Sequence, residues 1–407
     1  MSTTVPNSAV AVLDVDPFSE RNLGDPYPMH ERLRDAGPVV YLDRYRVWAM
    51  ARHHEVYSAL TDHEAFCSSR GVGLSDFHAE KPWRAPSLLL EADPPDHTVA
   101  RQTMGKVISA STVRGFRDTF RAEAEALADE LVARGHFDAV TDLAERYPLK
   151  VFPDAVGLPA EGREHLLPYG GLAFNAFGPR NDLLEQALAK AAPVQEWIWA
   201  SCQRDALAPG GLGARLWDAV DRGEISAEQA PMLVRSLLSA GVDTTVYGIG
   251  NTVQALAANP DQWARLREKP ALARFAFDEA LRYESPVQTF FRTTTREVEV
   301  SGIRIPEGEK VLLFLGAANR DPRKWGPSAD RMDVTRKAAG HVAFGMGIHQ
   351  CVGQPIARLE VELVLTALAQ RIERLEPAGA PIPKLNNTLK GWSSVPVQAS
   401  PPVANPT

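Results

Sequence analysis

Residues 341–360 read HVAFGMGIHQCVGQPIARLE, with Phe344, Gly345, Gly347, His349, Cys351 and Gly353 at fixed spacing ahead of a helical pattern. Two glycines let the backbone turn tightly beneath a flat ligand and bring N–H groups toward the sulfur, and the helix that follows turns its positive end toward a thiolate. That combination suits ligation of haem iron by Cys351. A lone cysteine in a globular protein is more often a buried, inert side chain. Six positions in register with a turn and a helix start favour the ligand.

Around this loop lies an ordinary globular composition. The chain has 407 residues, 44% hydrophobic, 8% aromatic and 23% charged, which excludes disorder and collagen-like repeats. A net charge of −7 and the lack of a basic block argue against nucleic acid as a partner. Cys67, Cys202 and Cys351 are too few for a disulfide scaffold or a four-thiolate iron–sulfur site. A reducing compartment is expected. The first thirty residues lack a basic start followed by an apolar stretch, and nowhere do eighteen apolar residues run together, so the expectation is a cytoplasmic protein with no membrane partner.

Pro and Gly are scattered rather than gathered into a linker, and the spacing predicts one domain over 16–400 with flexible tails at 1–15 and 401–407. The fold class is mainly α, a helical body with small β-sheets. Helices are predicted at Tyr27–Asp35, His54–Thr61, Ser111–Arg134, Gln186–Gln203, Ala271–Tyr283 and Pro355–Arg371. Strands are expected at Val39–Leu42, Val47–Met50, Val298–Val300, Ile303–Ile305 and Lys310–Leu315. The longest helix is expected from Pro231 to Ala258, with Ser226 and Gln229 as a capping box and Pro231 separating that turn from the helix.

Inside that segment, SLLSAGVDTTVYGIG (236–250) sets Gly241, Asp243, Thr244 and Thr245 in an apolar run. Asp and Thr compete with the backbone for hydrogen bonds and each glycine weakens the helix, so a kink beside a ligand is predicted. Ser236, Ala240, Asp243 and Thr244 stand at i, i+4, i+7 and i+8, which would place them on one helical face. In FDEALRYESP (277–286), Glu279 and Arg282 are three apart and can pair or reach a third partner. In ADPPDHTVAR (92–101), His97 and Arg101 share a helical face and could hold an anion, with Arg292 and His349 clamping it elsewhere. HEVYS (54–58) and HEAFC (63–67) lack the second histidine of a zinc-protease helix, and no nucleophile elbow or phosphate loop occurs. Gly210–Gly213 follows no strand and is expected to be a loop.

Taken together, the chain resembles a bacterial cytochrome P-450, a haem-thiolate monooxygenase, over nearly its whole length. The family's FGxGxHxCxG pattern matches 344–353, AGxDTT matches 240–245 and ExxR matches 279–282. The resemblance implies Cys351 as the axial thiolate of haem b, with Phe344 and Gly353 beside it. It implies Asp243 and Thr244 as an acid–alcohol pair delivering protons, His97, Arg101, Arg292 and His349 as partners of the haem propionates, and a structural role for Glu279 and Arg282. It also implies O2 as co-substrate and electrons from NAD(P)H through a separate ferredoxin and ferredoxin reductase.

GVGLSDF (71–77), KPWRAPSLLLEADPP (81–95), FNAFGP (174–179) and SPVQTFFRTTTR (285–296) are similar to the branch that O-demethylates 4-methoxybenzoate. That likeness implies a small aromatic acid with its carboxylate toward Arg84, Ser87 and Ser236. Its ring would lie among Phe174, Phe177 and Phe290, with Leu90, Ala240 and Val287 completing the pocket. A peroxide-using enzyme of the same fold and a haem-binding sensor are the alternatives, separable by NADH-driven turnover with a ferredoxin.

Overall fold

A computed structural model describes residues 10–402; the expected tail residues 1–9 and 403–407 lie outside the described residues. Ala11–Leu13, expected within the N-terminal tail, instead forms a strand parallel to Val40–Leu42. It edges a six-stranded mixed sheet that continues through Val47–Met50, Lys310–Phe314 and Thr289–Thr294 to Phe66–Cys67. Side chains alternate across it. Tyr41, Trp48, Met50, Val311 and Leu313 enter one apolar cluster, and Val40, Leu42, Val47, Ala49, Leu312 and Phe314 enter another, so both faces are buried. Val298–Val300 and Ile303–Ile305 pair as a hairpin about Ser301 and Gly302, whose φ values of 50° and 82° suit the tight turn.

The rest is a helical body. Ala110–Arg134 lies along Gln354–Arg371, joined by the Arg117–Glu362 and Arg371–Asp129 ion pairs at 3.0 and 2.6 Å. Tyr27–Ala36, His53–Thr61 and Ala273–Glu284 form close to the bounds read from the sequence. The Gln186–Gln203 expectation fails in the middle. Asp182–Ala191 gives way to a tight turn over Ala192–Val194 before Gln195–Ala200, because Pro193 has no N–H to continue the ladder. Gly210 and Gly211 do form a turn, but Leu212 and Gly213 open the helix Leu212–Asp221.

The helix expected from Pro231 to Ala258 is two helices, Gln229–Ala240 and Asp243–Ala257, so the longest is Ala110–Arg134. Ser226 and Gln229 exchange the reciprocal bonds of a capping box, 2.9 and 3.3 Å. Pro231 does not separate that turn from the helix; it sits in the first turn, where a missing N–H is tolerated. The break falls at Gly241–Val242, where a Cβ on Gly241 would lie 2.3 Å from the Phe152 ring. Only glycine leaves room there for the Phe152 ring, and the kink expected from Gly241, Asp243 and the threonines falls at this point.

Candidate active site

The break, the 343–353 loop and the strand Thr289–Thr294 enclose a cavity of about 1600 Å³ including its mouth. Cys351, Phe344, Gly353, His349, Arg101 and Arg292 line it, together with Thr244, Arg84, Ser87, Leu90, Phe174, Phe177, Ser236, Ala240, Val287 and Phe290. Side chains singled out from widely separated segments of the sequence thus line one cavity.

Gly345 and Gly347 have φ of 66° and 68°, the left-handed conformation that turns the loop, and a Cβ on Gly347 would press to 2.7 Å from the Leu60 carbonyl. Cys351 N–H then donates to the Phe344 carbonyl at 2.8 Å, fixing the cysteine at the cavity floor. Burial pushes its thiol up. The N–H groups of Gly353 and Gln354 and the charges of Arg101 and Arg358 oppose that push and favour the thiolate. The amides that favour the sulfur therefore lie beyond the two loop glycines, whose part is the turn.

Four donors surround the same floor, with the single carboxylate of Asp93 beside His349. Arg292 is 3% exposed, bonds only the carbonyl of Phe291, and is pushed down to about 10 by burial. Arg101 donates to the Gln350 carbonyl. His97 does not line the cavity; it is buried behind His349, ring centroids 4.4 Å apart, and held down to about 4 by burial and then by His349 and Arg101. Nε2 of each histidine is buried without a hydrogen bond. Asp93, its carboxyl kept well below the usual range, sits 3.7 Å from His349. A buried cluster of unsatisfied donors and cations needs anions, which the two propionates of a haem supply. With a cysteine sulfur on the floor, the residues fit haem.

On the opposite side the helix break separates the acid from the alcohol. Thr244 faces the cavity and its hydroxyl donates to the Ala240 carbonyl at 2.9 Å, across the interruption in the backbone ladder. Asp243 was expected on the same face as Ser236, Ala240 and Thr244, but it does not line the cavity, because the break shifts the register of the second helix. Its side chain instead packs on the Leu166–Asn175 helix, where a Cβ on Gly170 would lie 2.8 Å from Asp243 Cβ. Both carboxylate oxygens are buried without a hydrogen bond, and burial raises the carboxyl to about 6, Lys384 drawing it down and Glu145 pushing it further up. An acid near neutrality is suited to passing protons.

The third wall is aromatic. Phe174 and Phe177 meet edge to face at 5.8 Å, and Phe177 meets Phe290 at the same distance. Lys310 steadies this wall from behind, donating to the carbonyls of Arg70, Gly71 and Gly73 at 3.0, 2.9 and 3.1 Å, while Leu74 N–H donates to the Phe177 carbonyl.

At the far end Arg84 pairs with Glu91 at 3.2 Å, and Glu91 also accepts the Ser87 N–H at 2.8 Å. Ser87 Oγ accepts the N–H groups of Leu89 and Leu90 and stands 3.4 Å from Ser236 Oγ, whose own proton goes to the Met232 carbonyl at 3.0 Å, so Ser87 donates to Ser236. Arg235 and Glu91 were not singled out from the sequence. Arg235 is 5% exposed and donates to the carbonyls of Ala85 and Pro86, directly behind this end. An arginine amid Leu233, Val234, Leu237 and Leu238 was the available signal, since a cation in an apolar helix face marks a buried charge site.

Glu279 and Arg282, which the sequence left open between a surface pair and a third-partner network, are fully buried, and Arg336 joins them at 3.1 Å.

A helical body carrying a cysteine loop beneath a deep cavity, with more donors than carboxylates around its floor, is the arrangement of a haem-thiolate protein. The cytochrome P450 family model matches residues 269–400. The chain is 59% identical over 395 residues to cytochrome P450 CYP199A2 of Rhodopseudomonas palustris, covering 97% of this chain and 96% of that one. It is 32% identical over 401 residues to vitamin D(3) 25-hydroxylase of Pseudonocardia autotrophica, covering 95% and 96%. Among solved structures, cytochrome P450 CREJ in complex with (4-ethylphenyl) dihydrogen phosphate superposes with a TM-score of 0.86 at 26% identity, covering 95% and 99%. The chain belongs to the cytochrome P450 family and is a haem-dependent monooxygenase. No helix among the described residues is long and apolar enough to cross a membrane.

Proposed function

We propose that this monooxygenase oxidises a para-substituted benzoate, removing the ether methyl of 4-methoxybenzoate. The observation that carries the reading is a charge imbalance: part-buried Arg84 at the far end of the cavity and buried Arg235 behind it share one carboxylate, Glu91. One bound carboxylate would complete the set, and the Ser87 and Ser236 hydroxyls stand at the cavity surface, where their protons can rotate from each other and from the Met232 carbonyl to receive it. The Phe174, Phe177 and Phe290 wall suits a benzene ring. CREJ, bound to a para-substituted phenyl anion, is a relative of similar shape.

Haem, held by Cys351, supplies the oxygen chemistry. The chain's own part is to fix the acid end so that the para substituent points toward the floor, and to move protons through Thr244 and the acid behind it, Asp243. The balanced reaction takes the methoxy acid, O2, two electrons and two protons to 4-hydroxybenzoate, formaldehyde and water. Electrons come from NAD(P)H through a separate reductase and ferredoxin, since three cysteines leave no ligand set for an iron–sulfur domain in this chain. The three cysteines are unpaired thiols, in keeping with a cytoplasmic setting.

Reconstitution with NADH, a ferredoxin and its reductase tests the reading. The acid is expected to give formaldehyde stoichiometric with NADH, and methyl 4-methoxybenzoate to give next to none. Equal demethylation of the neutral ester overturns the aromatic-acid pocket, and turnover on peroxide alone at the NADH-driven rate overturns the monooxygenase electron route.

A further inference from the structure

Arg84 lines the far end of the cavity, Glu91 and Arg235 are buried directly behind it, and the neighbouring Tyr169 and Cys202 add no charge to the three. Arg84 Nη1 lies 3.2 Å from Glu91 Oε2, with side-chain exposures of 11% and 6%. Arg235 is buried against the Ala85 and Pro86 carbonyls with no carboxylate of its own. The Tyr169 hydroxyl and Cys202 thiol that face Arg235 are both pushed up by burial, Cys202 to about 12, so each is neutral. The local charge is therefore a single positive one. Charge left unmatched in a low-dielectric pocket is costly in either direction.

We propose that Glu91 is the specificity-determining residue of this pocket: by cancelling one of two arginines it restricts the site to aromatic monoanions and excludes aromatic dianions such as aryl phosphates. This rests on the aromatic-acid reading above. A carboxylate brings the cluster to neutrality. A phosphate monoester, carrying close to two charges above its second pKa of about 6, would leave one buried negative charge uncompensated beside Glu91. Without the Glu91 charge the same two arginines would match a dianion, with Arg84 released to bond it. Glu91 also accepts the Ser87 N–H, so a neutral isostere can keep the local fold while changing only the charge.

Holoenzyme and its Glu91→Gln variant, in which the amide oxygen can still accept that N–H, are titrated at pH 8 with 4-methoxybenzoate and with 4-ethylphenyl phosphate by equilibrium dialysis. The wild type is expected to prefer the benzoate strongly, and E91Q to shift the ratio of the two dissociation constants at least ~10-fold toward the phosphate. A ratio unchanged within about twofold in a haem-replete E91Q protein overturns the proposal. A second measurement needs no variant: in the wild type, phosphate affinity relative to benzoate should rise as pH falls from 8 to 5.5 and the ester becomes a monoanion, and a flat ratio overturns the proposal. Failure of the wild type to bind 4-methoxybenzoate at all overturns instead the aromatic-acid reading beneath it.

Discussion

Arg282 meets Glu279 through two parallel N–H···O bonds of 2.8 and 2.7 Å while neither side chain has any solvent exposure. The guanidinium also donates to the carbonyls of Asn319, Ala329 and Arg331, and Glu279 accepts the Asp333 N–H and Arg336, so this pair pins the 319–336 segment to the Ala273–Glu284 helix. Removing one partner strands the other charge in the interior at a cost of about 3–5 kcal/mol. Glu279→Ala is expected to lose most of its folded, haem-retaining population, measured by haem content and urea denaturation; near-native stability would contradict the central role given to the pair.

If Cys351 ligates the iron, the ferrous carbon monoxide complex shows the red-shifted Soret band of thiolate ligation, and Cys351→His abolishes it. Cys67 is buried at the sheet edge and Cys202 is wholly buried with its thiol donating to the Ile198 carbonyl. Alanine at either should leave the band in place. An unchanged band in the histidine variant would refute the ligand assignment.

Asp243 carries a pH signature. Its carboxyl is raised from the ordinary 3.8 to about 6, so between those values the folded protein binds more protons than the unfolded chain. Stability therefore falls as pH rises from about 4 to about 6, by roughly 3 kcal/mol from this group. Asp243→Asn should flatten that limb of the pH–stability curve and also slow turnover, with substrate affinity within a few-fold of wild type. A limb of unchanged slope would show the carboxylate to be paired in solution.

Thr244→Ala removes the hydroxyl that spans the helix break at the cavity wall. NADH should still be consumed while hydrogen peroxide replaces product, because the loss comes after O2 has bound. Fully coupled product formation would remove Thr244 from proton delivery.

Losing one hydrogen bond to a charged group costs ~1.5–3 kcal/mol. Ser87→Ala or Ser236→Ala is accordingly expected to weaken 4-methoxybenzoate binding roughly 10- to 150-fold, read from the Soret shift. Both variants should bind toluene-like neutral rings as the wild type does. Unaltered acid affinity in both would move the carboxylate elsewhere.

Motifs with a local cause were legible. The Cys351 loop depends on left-handed glycines and a helix start a few residues apart, and the hairpin at Ser301–Gly302 depends on turn chemistry. What distant packing decides was not. The glycine and polar residues of 241–245 announce a kink, and the break falls at Gly241–Val242, but nothing local shows how far it turns the second helix, so Asp243 is expected on the cavity face and stands behind it. The strand Ala11–Leu13 looked like a tail because its partner, Val40–Leu42, is supplied from elsewhere in the chain. Glu91 and Arg235 gain their meaning from each other's neighbourhood across more than 140 residues. Phe174, Phe177 and Phe290, by contrast, entered by likeness and stand together in space.

Gly170 and Phe174 stand one turn apart on the same ten-residue helix, the first bearing on Asp243 and the second on the cavity. A rigid rod that touches both is a lever. On the proposed reading, a guest too broad for the aromatic wall would press on Phe174 and, through the helix, on the Gly170 contact with Asp243. Poorly fitting molecules would then waste reducing power as peroxide, and any redesign that widens the wall at Phe174 inherits that leak unless the contact at Gly170 is rebuilt with it.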